Sequence, residues 1–451
     1  MHHDTAKRRP CRRGPRIVTA LTGTAGGEVR MPFGRRAGVR QSPDILDHLL
    51  FLPGIWLSCG LSVSLRMIGP VFVVFPVGFC ILYALLRRAM PPRVMSVYFA
   101  FCLLVGALSW YRVFPNSWQI YFMQEAIIRQ LIPVLGVVAV AWASKAYFRR
   151  RLRDGGVFSG AALIITLSIA VAPLMMYGQG MGYEGDYSLY ADLAMWGAFI
   201  NNNLIGFFFI FGAIYLAEGW RRYAALAFVL LVCVMSHFVQ FKVLTMIVLA
   251  GLFGLPARKV MITAVAGFVT IYGVGINYVV ETIKADPNDG LRLAFLADVL
   301  RSVADTSGAG IGYGRESVRW VYRFPGMPAF TFLPDPNSMT PARMLEALST
   351  GVHNSFAQAL LRSGVLGCLL LVLTMAVAFP PRTLPRPVRN HAISAFAMMF
   401  IACFVNPALE SPIQVVGIGF VYGYLIALRA LARTGTVRVG WSDRFGVRPT
   451  R

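Results

Sequence analysis

The sequence predicts an all-α polytopic membrane protein with about 12 transmembrane helices. Hydrophobic residues make up 57% of the 451 residues and charged residues only 14%. The mean hydropathy is +0.61. An ordinary soluble domain has about 45–50% apolar and about 25% charged residues. The composition therefore excludes a chain made only of soluble domains.

Twelve segments approach the roughly 20 apolar residues that a helix needs to cross the hydrocarbon core of a bilayer. We number them spans 1 to 12 in chain order. Their bounds are residues 46–65, 67–86, 94–110, 127–147, 157–178, 200–217, 222–238, 241–255, 258–279, 356–379, 391–408 and 411–430. Spans 1 to 9 form one membrane region, residues 46–279, and spans 10 to 12 form another, residues 356–430.

The basic residues predict the orientation of these spans. The chain has 43 Lys and Arg against 20 Asp and Glu, a net charge of +23, and 31 of the 43 lie in the termini and in alternate loops. Because Lys and Arg accumulate in cytoplasmic loops, both termini are predicted to be cytoplasmic. That arrangement requires an even number of spans. The charge thus indicates topology more than affinity for nucleic acid.

Basic tails are predicted at both ends of the chain. Residues 1–45 are Gly-rich and almost free of aromatic residues, which is typical of a disordered tail close to the anionic inner leaflet. Residues 431–451 form a shorter basic cytoplasmic tail. A nucleic-acid-binding arm is a weak alternative for the first tail, because the tail lacks aromatic residues that could stack on bases. Translation from Met31 instead of Met1 is an open alternative.

The external loop of residues 280–355 is far longer than a structureless connection in a compact fold, and such length usually indicates function. Asp286-Pro287 predicts the start of a helix, because Pro is favoured in the first turn. Arg292, Asp298 and Arg301 are expected on faces other than the apolar one. The apolar face consists of Leu291, Phe295, Val299 and Val303.

Alternating glycines at 308, 310, 312 and 314 are predicted to end this helix. The segment GAGIGYG has a Gly-x-Gly pattern but lacks the following Gly-Lys-Ser/Thr and the strand-to-helix context of a nucleotide-binding loop. We predict a tight, backbone-exposed turn at the membrane surface.

Three polar residues, His353, Lys242 and Arg362, stand out at or near the external ends of spans. His353 lies where the long loop returns to span 10, which Asn354 or Ser355 is predicted to cap. A lone histidine there is more often structural than catalytic, but an Arg-bearing helix, a Gly turn and a His can gather around one phosphate-bearing lipid. Lys242 is explained equally well by snorkelling or by anion binding, and Arg362 lies two turns inside span 10.

The seven cysteines predict neither a disulfide framework nor a metal site. Six of them lie in apolar runs, and none has metal-ligand spacing.

The segment His353-Asn354-Ser355-Phe356, followed by Gln358, Gly364 and Gly367, resembles the His-Asn-x-aromatic segment and Gly-x-x-Gly turn of the O-antigen ligase and polymerase superfamily. Upstream, Gly290-Leu291-Arg292 and the alternating glycines resemble the family's Gly-x-Arg and Gly-x-Gly stretch. Lys242 lies where many members carry a basic residue.

This resemblance implies a metal-independent glycosyltransferase of the bacterial inner membrane, with no cofactor and with an active site that faces the periplasm. The loop 280–355 becomes its periplasmic catalytic loop. The implied partners are an undecaprenyl-diphosphate-linked oligosaccharide, the lipid bilayer and, as a candidate, a chain-length regulator protein, with no nucleic acid.

The resemblance also implies roles for individual residues. His353 is expected to act as general base or to orient the acceptor hydroxyl, and Arg292 to hold the diphosphate. Further contacts with the diphosphate or sugar are expected from Arg301, Lys242, Asn354, Gly310, Gly312 and Arg362.

Three functions stay open. The favoured one is a polymerase of lipid-linked repeat units for O-antigen or exopolysaccharide. An O-antigen ligase, which delivers glycan to the lipid A core, is the nearest alternative; Arg362 in place of the family's usual Glu favours the polymerase. A non-enzymatic twelve-span transporter is the alternative of another class, although the long loop has no counterpart in the first half of the chain.

Overall fold

The computed structural model describes residues 73–111, 118–154, 287–315, 354–384, 386–405 and 414–434, with isolated positions at 51, 54, 55, 58, 352 and 409. Every regular element in these ranges is an α-helix. We name the helices α1 to α7, with the bounds Val74–Leu86, Arg93–Tyr111, Trp118–Asp154, Pro287–Asp305, Ser355–Ala378, Arg386–Val405 and Val415–Arg433.

Within the described ranges, four helical stretches are long and apolar enough to cross a membrane. They are Arg93–Tyr111, Ala126–Arg150, Ser355–Ala378 and Val415–Arg433. Two shorter stretches, Val74–Leu86 in α1 and Val388–Phe404 in α6, are also apolar. These six helices coincide with predicted spans 2, 3, 4, 10, 11 and 12. The other six spans, apart from isolated positions in span 1, lie outside the described residues, as do residues 1–45 and most of the second tail, so the count of twelve and the orientation stay predictions.

Helices α3 and α7 pack closely through two glycines spaced four residues apart. A Cβ atom on Gly419 would lie 2.8 Å from the carbonyl oxygen of Val137, and one on Gly423 would lie 2.6 Å from the carbonyl oxygen of Ala141. Small residues at this spacing allow the backbones of two membrane helices to approach each other. The close approach is sterically possible only without side chains at these two positions.

Replacement of Gly423 by valine is therefore expected to lower the free energy of unfolding by about 3 kcal/mol, because the new methyl groups meet backbone atoms that cannot rotate away. Thermal unfolding of the detergent-solubilised protein measures the loss. Gly78→Val is the matched control, since a Cβ atom at Gly78 has no heavy atom within 4 Å. Equal unfolding temperatures for the two variants would contradict this packing.

Several helix ends are predicted to lie on the same, cytoplasmic side of the membrane, and hydrogen bonds connect them. Trp142 Nε1 and Lys145 Nζ of α3 donate to the carbonyl oxygens of Ala89 and Met90, each at 2.9 Å, in the connection between α1 and α2. At the end of α7, Arg429 Nη1 donates to the carbonyl oxygen of Val377 at 2.6 Å. These contacts agree with the alternation of loops that the basic residues predict.

Candidate functional site

The candidate site is built on the packing of α4 against the first turns of α5. Phe295 and Val299 of α4 are fully buried, and they form one apolar cluster with Ala357 and Leu361 of α5 and with Val352 just before it. The loop helix predicted to begin at Pro287 is confirmed, and the described part of its apolar face, Phe295, Val299 and Val303, packs against α5. This contact brings the helix that carries Arg292 and Arg301 to the start of span 10.

One prediction for α4 is wrong, because Asp298 lies on the buried face. Its side chain is 5% exposed, and Ser302, one turn later, is also buried. With Phe295 and Val299 these residues follow the spacing i, i+3, i+4, i+7 of a single helical face. The Ser302 hydroxyl donates to the backbone carbonyl of Asp298 at 2.6 Å. An interpretation based only on apolar residues assigns a carboxylate such as Asp298 to an exposed face. For this reason the sequence did not predict that Asp298 is buried.

Helix α5 is interrupted at Gly364. Its φ of 67° and ψ of −166° lie outside the helical region, in a conformation that is essentially restricted to glycine. The break frees backbone groups of α5, and the glycine segment 308–314 pairs with them. The bonds run from Ile311 N to Leu361 O at 2.8 Å, from Gly312 N to Arg362 O at 3.0 Å and from Val365 N to Gly308 O at 2.9 Å.

The glycine segment is not the backbone-exposed turn that the sequence predicts. Its four glycines have φ between 78° and 87°. A Cβ atom on Gly310 would lie 2.6 Å from Gly364 N and 2.8 Å from Leu361 O, so the segment lies directly on the interrupted helix. The prediction was wrong because the partner of this backbone is more than 40 residues further along the chain.

The remaining amides of the segment are also engaged within the protein. Tyr313 N donates to Ser109 Oγ of α2 at 2.9 Å, and Gly314 N donates to Gln130 Oε1 of α3 at 3.0 Å. Gly310 N donates to Thr306 Oγ1 at 3.1 Å. The contact predicted between the substrate and Gly310 or Gly312 stays a prediction. The backbone N–H groups of both glycines are already bonded within the protein, so such a contact would have to use other atoms.

The side chain of Arg362, a residue of α5, is buried next to the glycine segment. Its side chain is 4% exposed, and its guanidinium carbon lies 5.4 Å from the centroid of the Tyr313 ring. This is the geometry of a cation–π contact, which strengthens away from water. Arg362 therefore does not snorkel to the surface, in agreement with its position two turns inside span 10.

The start of α5 is held by three polar side chains. Asn354 caps the helix, as predicted, because its Oδ1 accepts hydrogen bonds from Phe356 N at 2.9 Å and Ala357 N at 3.0 Å. The contact predicted between Asn354 and the substrate stays a prediction. The other two bonds run from Leu409 N to Ser355 Oγ at 3.2 Å and from Val352 N to Gln358 Oε1 at 2.8 Å.

The structure places some of the predicted site residues and not others. Arg301 is exposed on α4, and the backbone of Arg292 belongs to the same helix, although its side chain is not among those described. Lys242 and His353 lie outside the described residues, but both chain neighbours of His353 are described. Within the described part of the chain, no group of three His, Cys, Asp or Glu residues could hold a metal ion.

Sequence reasoning gave no role to Ser109, Gln130 and Tyr313, and it quoted Gln358 only as part of the family pattern. All four are buried at the site. The available signal was weak: three of them are polar residues within helices, where burial requires a hydrogen-bond partner, and Tyr313 lies in the glycine segment. Which partner each would find depends on residues far away in the sequence.

These features define the class of protein as far as the described residues reach: a helical protein with four helices of membrane-spanning length, one of them interrupted at a glycine that packs against a loop. Comparisons of the chain with models of protein families, with curated proteins and with solved structures find no match.

Proposed function

We propose that the chain is a polymerase of lipid-linked oligosaccharide repeat units, acting at the periplasmic face of the bacterial inner membrane. The observation that carries the proposal is the packing of α4 against the start of α5. It brings an arginine-bearing helix next to the segment that contains His353, at the end of the bundle opposite the basic loops. Those are the components that transfer from a lipid diphosphate requires.

The proposed step forms one glycosidic bond. A hydroxyl of the non-reducing sugar on one lipid-linked unit attacks the anomeric carbon of the glycan on another. The bond between that carbon and the diphosphate oxygen breaks, and undecaprenyl diphosphate leaves with the bonding electrons. His353 takes the proton of the attacking hydroxyl.

The cations of the site have a separate task. Arg292, supported by Arg301 and Lys242, binds the diphosphate and stabilises the charge that develops on it, because guanidinium groups pair bidentately with phosphate oxygens. Arg362 contributes positive charge from the adjoining helix, and the side-chain nitrogen of the capping residue Asn354 binds a sugar hydroxyl. The leaving group is already activated, so neither metal nor nucleotide is required.

Reconstitution tests the proposal directly. The purified protein in vesicles is supplied with lipid-linked repeat units, and glycan length is measured by electrophoresis and mass spectrometry. We expect glycans of several repeats, with none in protein-free vesicles. With a lipid A core acceptor added, transfer to the core instead of chain growth would identify a ligase. No new glycosidic bond with either acceptor would contradict both enzyme assignments.

The interrupted helix supports the transporter as a second candidate. Gly364 lies nine residues after Ser355, about 14 Å along the helix and thus near the middle of a bilayer core of about 30 Å. Discontinuous helices at this depth are typical of substrate sites in secondary transporters. In the same vesicles, movement of intact lipid-linked units between leaflets without any new bond would favour this function.

A further inference from the structure

Gln358 connects the first turns of α5 to the chain just before the helix. Its side chain is fully buried, with 0% exposure, and its Oε1 accepts the hydrogen bond from Val352 N at 2.8 Å. Its own backbone N–H donates to Asn354 O at 2.9 Å, the first regular bond of the helix. The side chain therefore reaches back across the helix start to a residue outside it.

Both chain neighbours of His353 are held by bonds to this helix start. Val352 is bound by Gln358, and Asn354 caps α5 through its side chain. The two neighbours are also bonded to each other, because Asn354 N donates to Val352 O at 2.6 Å. The backbone on either side of His353 is thus fixed relative to α5.

The bond to Gln358 lies in an apolar environment. Val352 is itself buried, in the cluster that joins α4 to α5 through Phe295 and Val299. Hydrogen bonds are stronger where water is excluded, and an amide left there without a partner is destabilised. Loss of the Gln358 oxygen therefore releases the chain just before His353 while leaving the helix cap intact.

We infer that Gln358 is a positioning residue for His353: its buried side chain fixes the chain before the proposed general base. The inference rests on the proposed function, in which His353 takes a proton from the acceptor hydroxyl. Gln358 lies inside the helix and touches no substrate in this scheme. Its contribution is the placement of a base, and small displacements of catalytic groups reduce turnover strongly.

Turnover of the reconstituted protein tests the inference. Gln358→Leu removes the acceptor at similar volume, and we expect kcat to fall about 100-fold with KM nearly unchanged. Gln358→Glu keeps an acceptor oxygen in the same place but loses the side-chain NH₂ group, so it should restore part of the turnover. Gln358→Asn withdraws the oxygen by one methylene group and should act like the leucine variant, which gives a second test if leucine prevents folding. Thr374→Val, which removes a different buried polar group, a hydroxyl, from the same helix, is the matched control.

Hydrogen exchange of residues 351–356 gives a reading that does not depend on activity. The Val352 amide should exchange about tenfold faster in Gln358→Leu, and at the wild-type rate in Gln358→Glu and Thr374→Val. Unchanged exchange in Gln358→Leu, or faster exchange with unchanged kcat, would overturn the inference. Failure of the proposed function would appear differently, as a wild-type protein that makes no polymer.

Discussion

Gly364→Ala is expected to destabilise the protein by about 4 kcal/mol, a larger loss than that expected for Gly423→Val. Two effects add. The backbone at Gly364, with φ of 67° and ψ of −166°, is strained for any residue with a side chain. A Cβ atom there would also lie 2.5 Å from the carbonyl carbon of Ala309, besides meeting the Gly308 oxygen. These neighbours are backbone atoms, so no side-chain rotation relieves the contact.

The yield of monodisperse protein and its thermal unfolding in detergent measure this loss. Gly78→Ala is the control, because it is also a change from glycine to alanine within an apolar helix but meets no heavy atom within 4 Å. Alanine in a helix interior is favoured over glycine, so the control should be at least as stable as the wild type. A wild-type unfolding temperature for Gly364→Ala would contradict the break in α5 and the seating of the glycine segment on it.

His353→Ala and Arg292→Ala are expected to have the largest effects on activity. Loss of a general base reduces turnover by roughly 10²–10⁴-fold, and loss of a group that stabilises developing charge by roughly 10²–10³-fold. Chain growth on lipid-linked units, measured in vesicles, should therefore fall below detection or nearly so in both variants. Arg292→Lys should recover only part of the activity, since an ammonium group keeps the charge but not the bidentate geometry.

The control for these variants is Arg382→Ala, which removes an exposed arginine from a loop predicted to be cytoplasmic. It should insert normally and polymerise like the wild type. In cells, loss of a polymerase leaves single repeat units on the lipid A core, whereas loss of a ligase leaves the core uncapped while lipid-linked polymer accumulates. Full-length polymer from His353→Ala and Arg292→Ala would refute the roles given to these two residues.

Local properties of the sequence predicted the helices in the described part of the chain well. Six predicted spans coincide with α1, α2, α3, α5, α6 and α7. The loop helix α4 begins at Pro287, and Asn354 caps α5, as expected. Apolar composition, a helical period and a capping residue each act over a few neighbouring positions, and such signals can be read without knowledge of the fold.

The tertiary structure alone decided how these helices form a site. The glycine segment fills the break in α5 through partners that lie about 50 residues away, and its last two amides bond to Ser109 and Gln130, which lie 204 and 184 residues away in the chain. Burial of Asp298 and the contact between Arg362 and Tyr313 likewise depend on neighbours remote in sequence.

Within the described ranges, the sequence by itself therefore determined which residues form apolar helices. It also singled out most of the polar residues that now carry the proposed chemistry. Only the tertiary structure decided that the glycines complete a broken helix and that Gln358 holds the chain beside His353. The physical reason is that a buried backbone group must find a hydrogen-bond partner, and the fold brings that partner from a distant part of the chain.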